Sequence, residues 1–318
     1  MKKILVTGVA GFIGSNLAEY LLNKSTEYFI YGVDNFDPMY DLNIKKNNLK
    51  NFREHSNFKF IELDLLNPAQ IKQLPKVDLV IHLAAKAGVR PSILNPQAYI
   101  QSNIVATQNL LDWMKELHIK KYIFASSSSV YGNNLKVPFD ESDNVDKTIS
   151  PYAFTKKSCE ILNYTYFHLY RIDCLNLRFF TVYGPRQRPD LAIYKFVDLI
   201  AAQKPIQVFG DGNTARDYTY INDIVIGIES AIDFILSHHK LFEIINLGSN
   251  YPIKLNDLIK HIETSMNQKA QIIFSPMQDG DVDFTFANID KATRLLNYNP
   301  KENIVDGIKK FIEWKTNI

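Results

Sequence analysis

The chain has 318 residues, 46% of them hydrophobic and 22% charged, and a formal net charge of +2. These are the proportions of an ordinary soluble globular protein with room for two domains, without the basic excess of a nucleic-acid or membrane-surface binder. Cys159 and Cys174 lack metal-ligand spacing and sit in apolar segments, which predicts buried free thiols in a reducing compartment and no metal site. No apolar run approaches the roughly 20 residues that span a bilayer, and no signal-peptide pattern surrounds MKKILVTG, so the expected location is cytoplasmic.

Strand-like runs follow one another as KILVT (3–7), FIYGVD (29–34), FKFIEL (58–63), DLVIHLA (78–84), KYIFAS (121–126) and CLNLRF (174–179). They are apolar almost throughout, as strands covered on both faces must be. Helical spacing marks 11–23, 67–74, 96–117 and 151–170 between them. This alternation predicts an α/β fold, a Rossmann-like doubly wound parallel sheet over 1–180. From about Thr181 proline and glycine punctuate GPRQRPD and FGDGNTARD, and a smaller mixed α/β substrate domain is expected over 181–318. Part of 220–248 is expected to fold back on the first domain.

TGVAGFIG (7–14) sets Gly8, Gly11 and Gly14 between a strand and a helix. Glycines there let the backbone approach a pyrophosphate, which rests on the helix N-terminus. Asp34 ends the second strand 20 residues past Gly14. Its carboxylate suits a ribose diol and repels a 2′-phosphate, so NAD is expected over NADP. Asp64 and the 82–88 segment end the third and fourth strands and are expected beside the adenine and the middle of the cofactor.

PYAFTKK places Tyr152 and Lys156 at i and i+4 on one helix face. A lysine ammonium beside a phenol stabilises phenolate and is expected to bring the tyrosine down from its usual value of about 10. Tyr152 then serves as a general base. Tyr164, Tyr166 and Tyr170 on the same helix read as packing.

Together, TGVAGFIG, HLAAKAGVR, SSSSVYG, PYAFTKK and RFFTVYGPRQRP resemble the extended short-chain dehydrogenase/reductase family, and within it the nucleotide-sugar epimerases. ARDYTYINDIV and MQDGDV extend the resemblance over essentially the whole chain. It implies tightly held NAD, regenerated each turnover, on Gly8, Gly11, Phe12, Ile13, Gly14, Asp34, Asn35, Asp64, Leu65, Leu83, Ala84, Ala85, Lys86, Asn103, Tyr152 and Lys156. It also implies that Ser127 shares the proton relay with Tyr152. Family members that eliminate water or carbon dioxide carry carboxylates where this chain has Ser128 and Ser129, and hydroxyls cannot do that work near neutrality. The chemistry expected is therefore epimerisation.

Thr181 in RFFTVYG makes the pattern similar to UDP-glucuronate 4-epimerases rather than simple UDP-galactose epimerases. Ser127, Ser128, Ser129 and Thr181 are expected to cradle the uronate carboxylate, with charge from Arg188 or Arg90. Lys86 is counted with the substrate set as well as with the cofactor. Gln207 and Phe209 are expected near the uracil, Arg216 at the diphosphate, and Gln278 and Asp281 in a segment closing over the nucleotide. A homodimer through the helices at 92–117 and 151–170 is expected by the same resemblance. Epimerisation of neutral UDP-hexoses or their N-acetyl forms, and a non-catalytic NAD-binding sensor, stay open.

Overall fold

In the computed structural model, which describes residues 1–277, 282 and 284–317, the six apolar runs become β1 (Lys2–Thr7), β2 (Tyr28–Asp34), β3 (Phe58–Glu62), β4 (Leu79–His82), β5 (Lys121–Ser127) and β6 (Asp173–Phe179). The later strands are β7 (Thr181–Tyr183), β8 (Ile206–Phe209), β9 (Ala215–Tyr220), β10 (Phe242–Leu247), β11 (Pro252–Lys254) and β12 (Ile272–Ser275). The main sheet runs β10-β6-β5-β4-β1-β2-β3, with every pair parallel. Its strand order reverses at β1, which lies between β2 and β4, and ligands bind beyond the strand ends at such a point. A mixed sheet, β11-β9-β7, and a two-stranded parallel pair, β12-β8, form the remainder.

Burial explains the apolar runs. Ile4 and Val6 of β1 join one hydrophobic cluster while Leu5, between them, joins the other on the opposite face. All three are wholly buried. Helices cover both faces: α1 (Phe12–Lys24), α2 (Leu42–Leu49), α3 (Pro68–Ile71), α4 (Val89–Leu94), α5 (Pro96–Tyr99), α6 (Ala106–Glu116), α7 (Pro151–Tyr170), α8 (Ala192–Ala201), α9 (Ile221–Ser237), α10 (Leu255–Met266), α11 (Asp290–Leu296) and α12 (Ile304–Thr316). α9 packs on α1, β5 and β6, and β10 extends the main sheet beside β6. Among the described residues no helix is long and apolar enough to cross a membrane.

The stretch 96–117 departs from a single α-helix. α5 starts at Pro96 under an Asn95 cap, and Ile100–Val105 is a π-helical turn before α6. The widened turn sets Asn103 against the backbone of Lys86, accepting from its N–H at 2.8 Å and donating to its carbonyl at 3.0 Å. α7 begins regularly, with Pro151 in its first turn and Ser150 Oγ accepting from Ala153 N at 3.1 Å.

Candidate active site

A cleft of about 500 Å³ opens at the carboxyl ends of β1 to β6 and reaches β7, β9 and Thr285. Its wall includes Gly8, Gly11, Phe12, Ile13 and Gly14 from the first turn, then Asp34, Asn35, Asp64 and Leu65. Leu83, Ala84, Ala85 and Lys86 follow, and at the other end stand Ser127, Ser128, Ser129, Tyr152, Lys156, Thr181, Arg188 and Arg216.

The glycine turn is built by close backbone approach. Gly8 has φ +69°, and a Cβ there would lie 2.8 Å from Ala84 N. A Cβ on Gly14 would lie 2.3 Å from Gly8 O. α1 starts behind this turn with neither a side-chain cap nor an acidic residue in its first turn, so its positive end stays available to an anion. Asp34 accepts from Phe36 N at 2.9 Å and Ala10 N at 3.1 Å, which aims the carboxylate at the cleft rim. Burial raises its affinity for a proton, against Lys45, whose Nζ stands 4.0 Å away, and those two amides. A helix end for a pyrophosphate and a carboxylate for a ribose diol fit a dinucleotide.

At the far end Tyr152 and Lys156 project from α7 toward the tip of β5. Lys156 Nζ donates to Ala125 O at 2.7 Å and lies over the Phe124 ring. Burial pushes this ammonium down to about 8. The expected lowering of Tyr152 does not occur: burial raises the phenol, and the groups opposing that rise are the Ser127 hydroxyl and the Arg188 charge. The physical reason is that burial of the phenol outweighs the hydroxyl and the charge that oppose it. Ser127 Oγ accepts from Ser129 N at 3.2 Å and lies 3.1 Å from Ser129 Oγ. Ser128 and Thr181 line the cleft with hydroxyls that no described residue engages.

Among the described residues, four expected ones, Asn103, Gln207, Arg90 and Phe209, do not form the cleft wall. Asn103 turns inward to Lys86 and to Thr155 Oγ1, 2.9 Å away. Gln207 alternates outward on β8 between buried Ile206 and Val208 and donates to Ser275 Oγ at 2.9 Å. Arg90 lies over the Phe209 ring at 4.5 Å, a contact joining α4 to β8. Gln278 and Asp281 lie outside the described residues. Two expected charges carry partners: Lys86 Nζ meets both oxygens of Asp37 at 2.8 and 2.7 Å, and Arg188 forks onto Asp190 at 2.9 and 2.6 Å while donating to Ala87 O at 3.2 Å. Arg186, in the GPRQRP stretch, pairs with Glu19 instead of facing the cleft. Asp37, Met39, Tyr40 and Lys45 also line the wall, unforeseen from the sequence. The cluster of Asp and Asn after β2 was their one visible signal.

A dinucleotide turn, a Tyr-Lys pair and a strand-end serine in one cleft define a short-chain dehydrogenase/reductase of the extended type. The family model described as GDP-mannose 4,6 dehydratase matches residues 5–311, and the chain belongs to that family. It is 44% identical to UDP-glucuronate 4-epimerase of Thermodesulfobacterium geofontis, over 99% of this chain and 96% of that protein. It is 40% identical to Protein CapI of Staphylococcus aureus, over 98% of each. The crystal structure of UDP-glucuronic acid 4-epimerase from Bacillus cereus in complex with UDP-glucuronic acid and NAD superposes with a TM-score of 0.93 at 37% identity, covering 99% of both chains.

Proposed function

We propose that the chain is an NAD-dependent 4-epimerase that interconverts UDP-glucuronate and UDP-galacturonate through a transient 4-keto sugar. The observation that carries this reading is the composition of the cleft. Among the described residues its carboxylates, Asp34, Asp37 and Asp64, stand at or just after the ends of β2 and β3, whereas the wall around Tyr152 includes Ser127, Ser128, Ser129 and Thr181. Hydroxyls there accept and return a proton but do not drive elimination. The relatives named UDP-glucuronate 4-epimerase, and the Bacillus cereus enzyme bound to UDP-glucuronic acid and NAD, support the same substrate and cofactor.

NAD, when bound, supplies the hydride acceptor and donor. Tyr152 takes the C4 hydroxyl proton and later returns it. Ser127 relays between sugar hydroxyl and phenol and opposes the rise that burial imposes on that phenol. Lys156 supplies a fixed ammonium one helical turn away, held by Ala125 O. Ser128, Ser129 and Thr181 hold the uronate carboxylate, which disfavours loss of carbon dioxide from the β-keto acid. Arg216 serves the diphosphate. The uridine diphosphate stays gripped while the oxidised sugar turns and presents its other face.

The protein acts as a homodimer and resides in the cytoplasm. The first inference rests on an apolar face of α7, the second on Cys159 and Cys174, both buried free thiols. A Tyr152→Phe variant tests the assigned base. It should bind NAD as the unsubstituted protein does and lose turnover by about 100-fold or more. Undiminished epimerisation in that variant would remove Tyr152 from the mechanism.

A further inference from the structure

Tyr152, Lys156 and Glu160 stand at i, i+4 and i+8 on α7, so one face of the helix presents all three. Three successive residues at the end of β5 meet them. Ser127 sits by the phenol, Ala125 O accepts from Lys156 Nζ at 2.7 Å, and Ser126 Oγ donates to Glu160 Oε1 at 2.6 Å. Ser126 is also the register partner of Arg178 on β6. Arg178 Nε and Nη2 donate to Glu160 Oε1 and Oε2 at 2.8 and 2.9 Å. Glu160 is 2% exposed and Arg178 1%. A buried pair of this kind adds little net stability, because desolvation offsets the attraction. What it does fix is the place of the groups that touch it.

We propose that Glu160 is a positioning residue of the active site, the third member of the Tyr152–Lys156 face. Through Ser126 it holds the tip of β5 against α7, and it places a fixed negative charge one turn from Lys156. The inference rests on the function proposed above. The groups facing Lys156 are Cys159 and Glu160 from its own helix, the Phe124 ring and Ala125 O from β5, and His82 from β4, which burial keeps neutral. Glu160 is faced by Arg178 and Cys174 from β6 and by Lys157, 3.8 Å away. Burial pushes Lys156 down, while Cys159 and Glu160 pull it up. Removing the carboxylate charge therefore lets the ammonium lose its proton at lower pH.

The test compares Glu160→Gln and Ser126→Ala with the unsubstituted protein in melting temperature, kcat, KM, the pH profile of kcat and the NMR titration of the Lys156 Cε resonance. Glu160→Gln should lower kcat about 10-fold with KM nearly unchanged. Its alkaline limb and its lysine titration should both move down by about one pH unit. A limb and a titration that stay in place overturn the proposal, whatever happens to kcat, since a purely structural role moves neither. Ser126→Ala keeps the charge and should lower kcat several-fold with no movement of the limb. Unchanged kcat there overturns the strand-holding role, and decides the matter alone if Glu160→Gln does not fold. The lysine titration needs no substrate, so failure of the unsubstituted protein to turn over UDP-glucuronate removes the proposed function without touching this result.

Discussion

His82 shows what burial does to one titratable side chain here. It ends β4 with Nδ1 2.7 Å from Thr7 Oγ1 and Nε2 3.0 Å from Thr107 Oγ1, and burial takes its pKa down to about 3. Unfolded, the same ring titrates near its ordinary value of about 6.5. Between those values the unfolded chain binds the extra proton, so stability rises with pH; it is fully present above the unfolded value and is lost as pH falls toward the folded one. At pH 5 the loss from this residue should be about 2 kcal/mol. His82→Gln should therefore show a smaller drop in melting temperature between pH 7 and pH 5 than the unsubstituted protein, and equal drops would contradict this account. At the same scale, residues that shape the cleft through local backbone geometry were legible in the sequence. Gly8, Gly14 and Asp34 needed only a strand and a helix around them. The state of Tyr152 was not legible, because it depends on how deeply the fold buries the phenol and on Arg188 arriving from beyond β7. Lys45 beside Asp34 was hidden for a like reason, since α2 carries few apolar residues and gives a weak helical signal.

α7 presents two distinct faces. Its inner face carries Tyr152, Lys156 and Glu160, and its outer face leaves Phe154, Ile161, Tyr164 and Leu169 in solvent, with Ile161 58% exposed. Those four fall within a single helical stripe, a pattern that a surface helix shows when another apolar face covers it. With a second copy as that cover, Ile161→Lys should shift the protein from dimer to monomer in sedimentation or light scattering while leaving its helical content intact. A monomeric unsubstituted protein would end this reading. The expected strands survived well, since apolar runs bounded by turn residues have one comfortable place in a two-faced sheet. The helix at 96–117 did not, because apolar spacing carries no trace of the π turn at Ile100–Val105 that interrupts it.

For the whole molecule, the decisive fact is that one cleft runs from the glycine turn of β1 to Arg216 on β9, joining a dinucleotide end to a hydroxyl-lined end. Strand order places the glycine turn at the reversal of the main sheet and the serines at the tip of β5, two strands away, so both open on the same end of the sheet. β10 entering that sheet after a long excursion through β7 to β9 is the feature least visible in the sequence, because FEIINLGS resembles any short buried strand. The proposed function depends on reversible oxidation at C4 in a pocket that retains the uronate carboxylate. NMR of the sugar anomeric protons during incubation with UDP-glucuronate tests it most directly. UDP-galacturonate should appear and approach equilibrium with no other product; a UDP-pentose as main product, or turnover confined to UDP-glucose or UDP-N-acetylglucosamine, would contradict it.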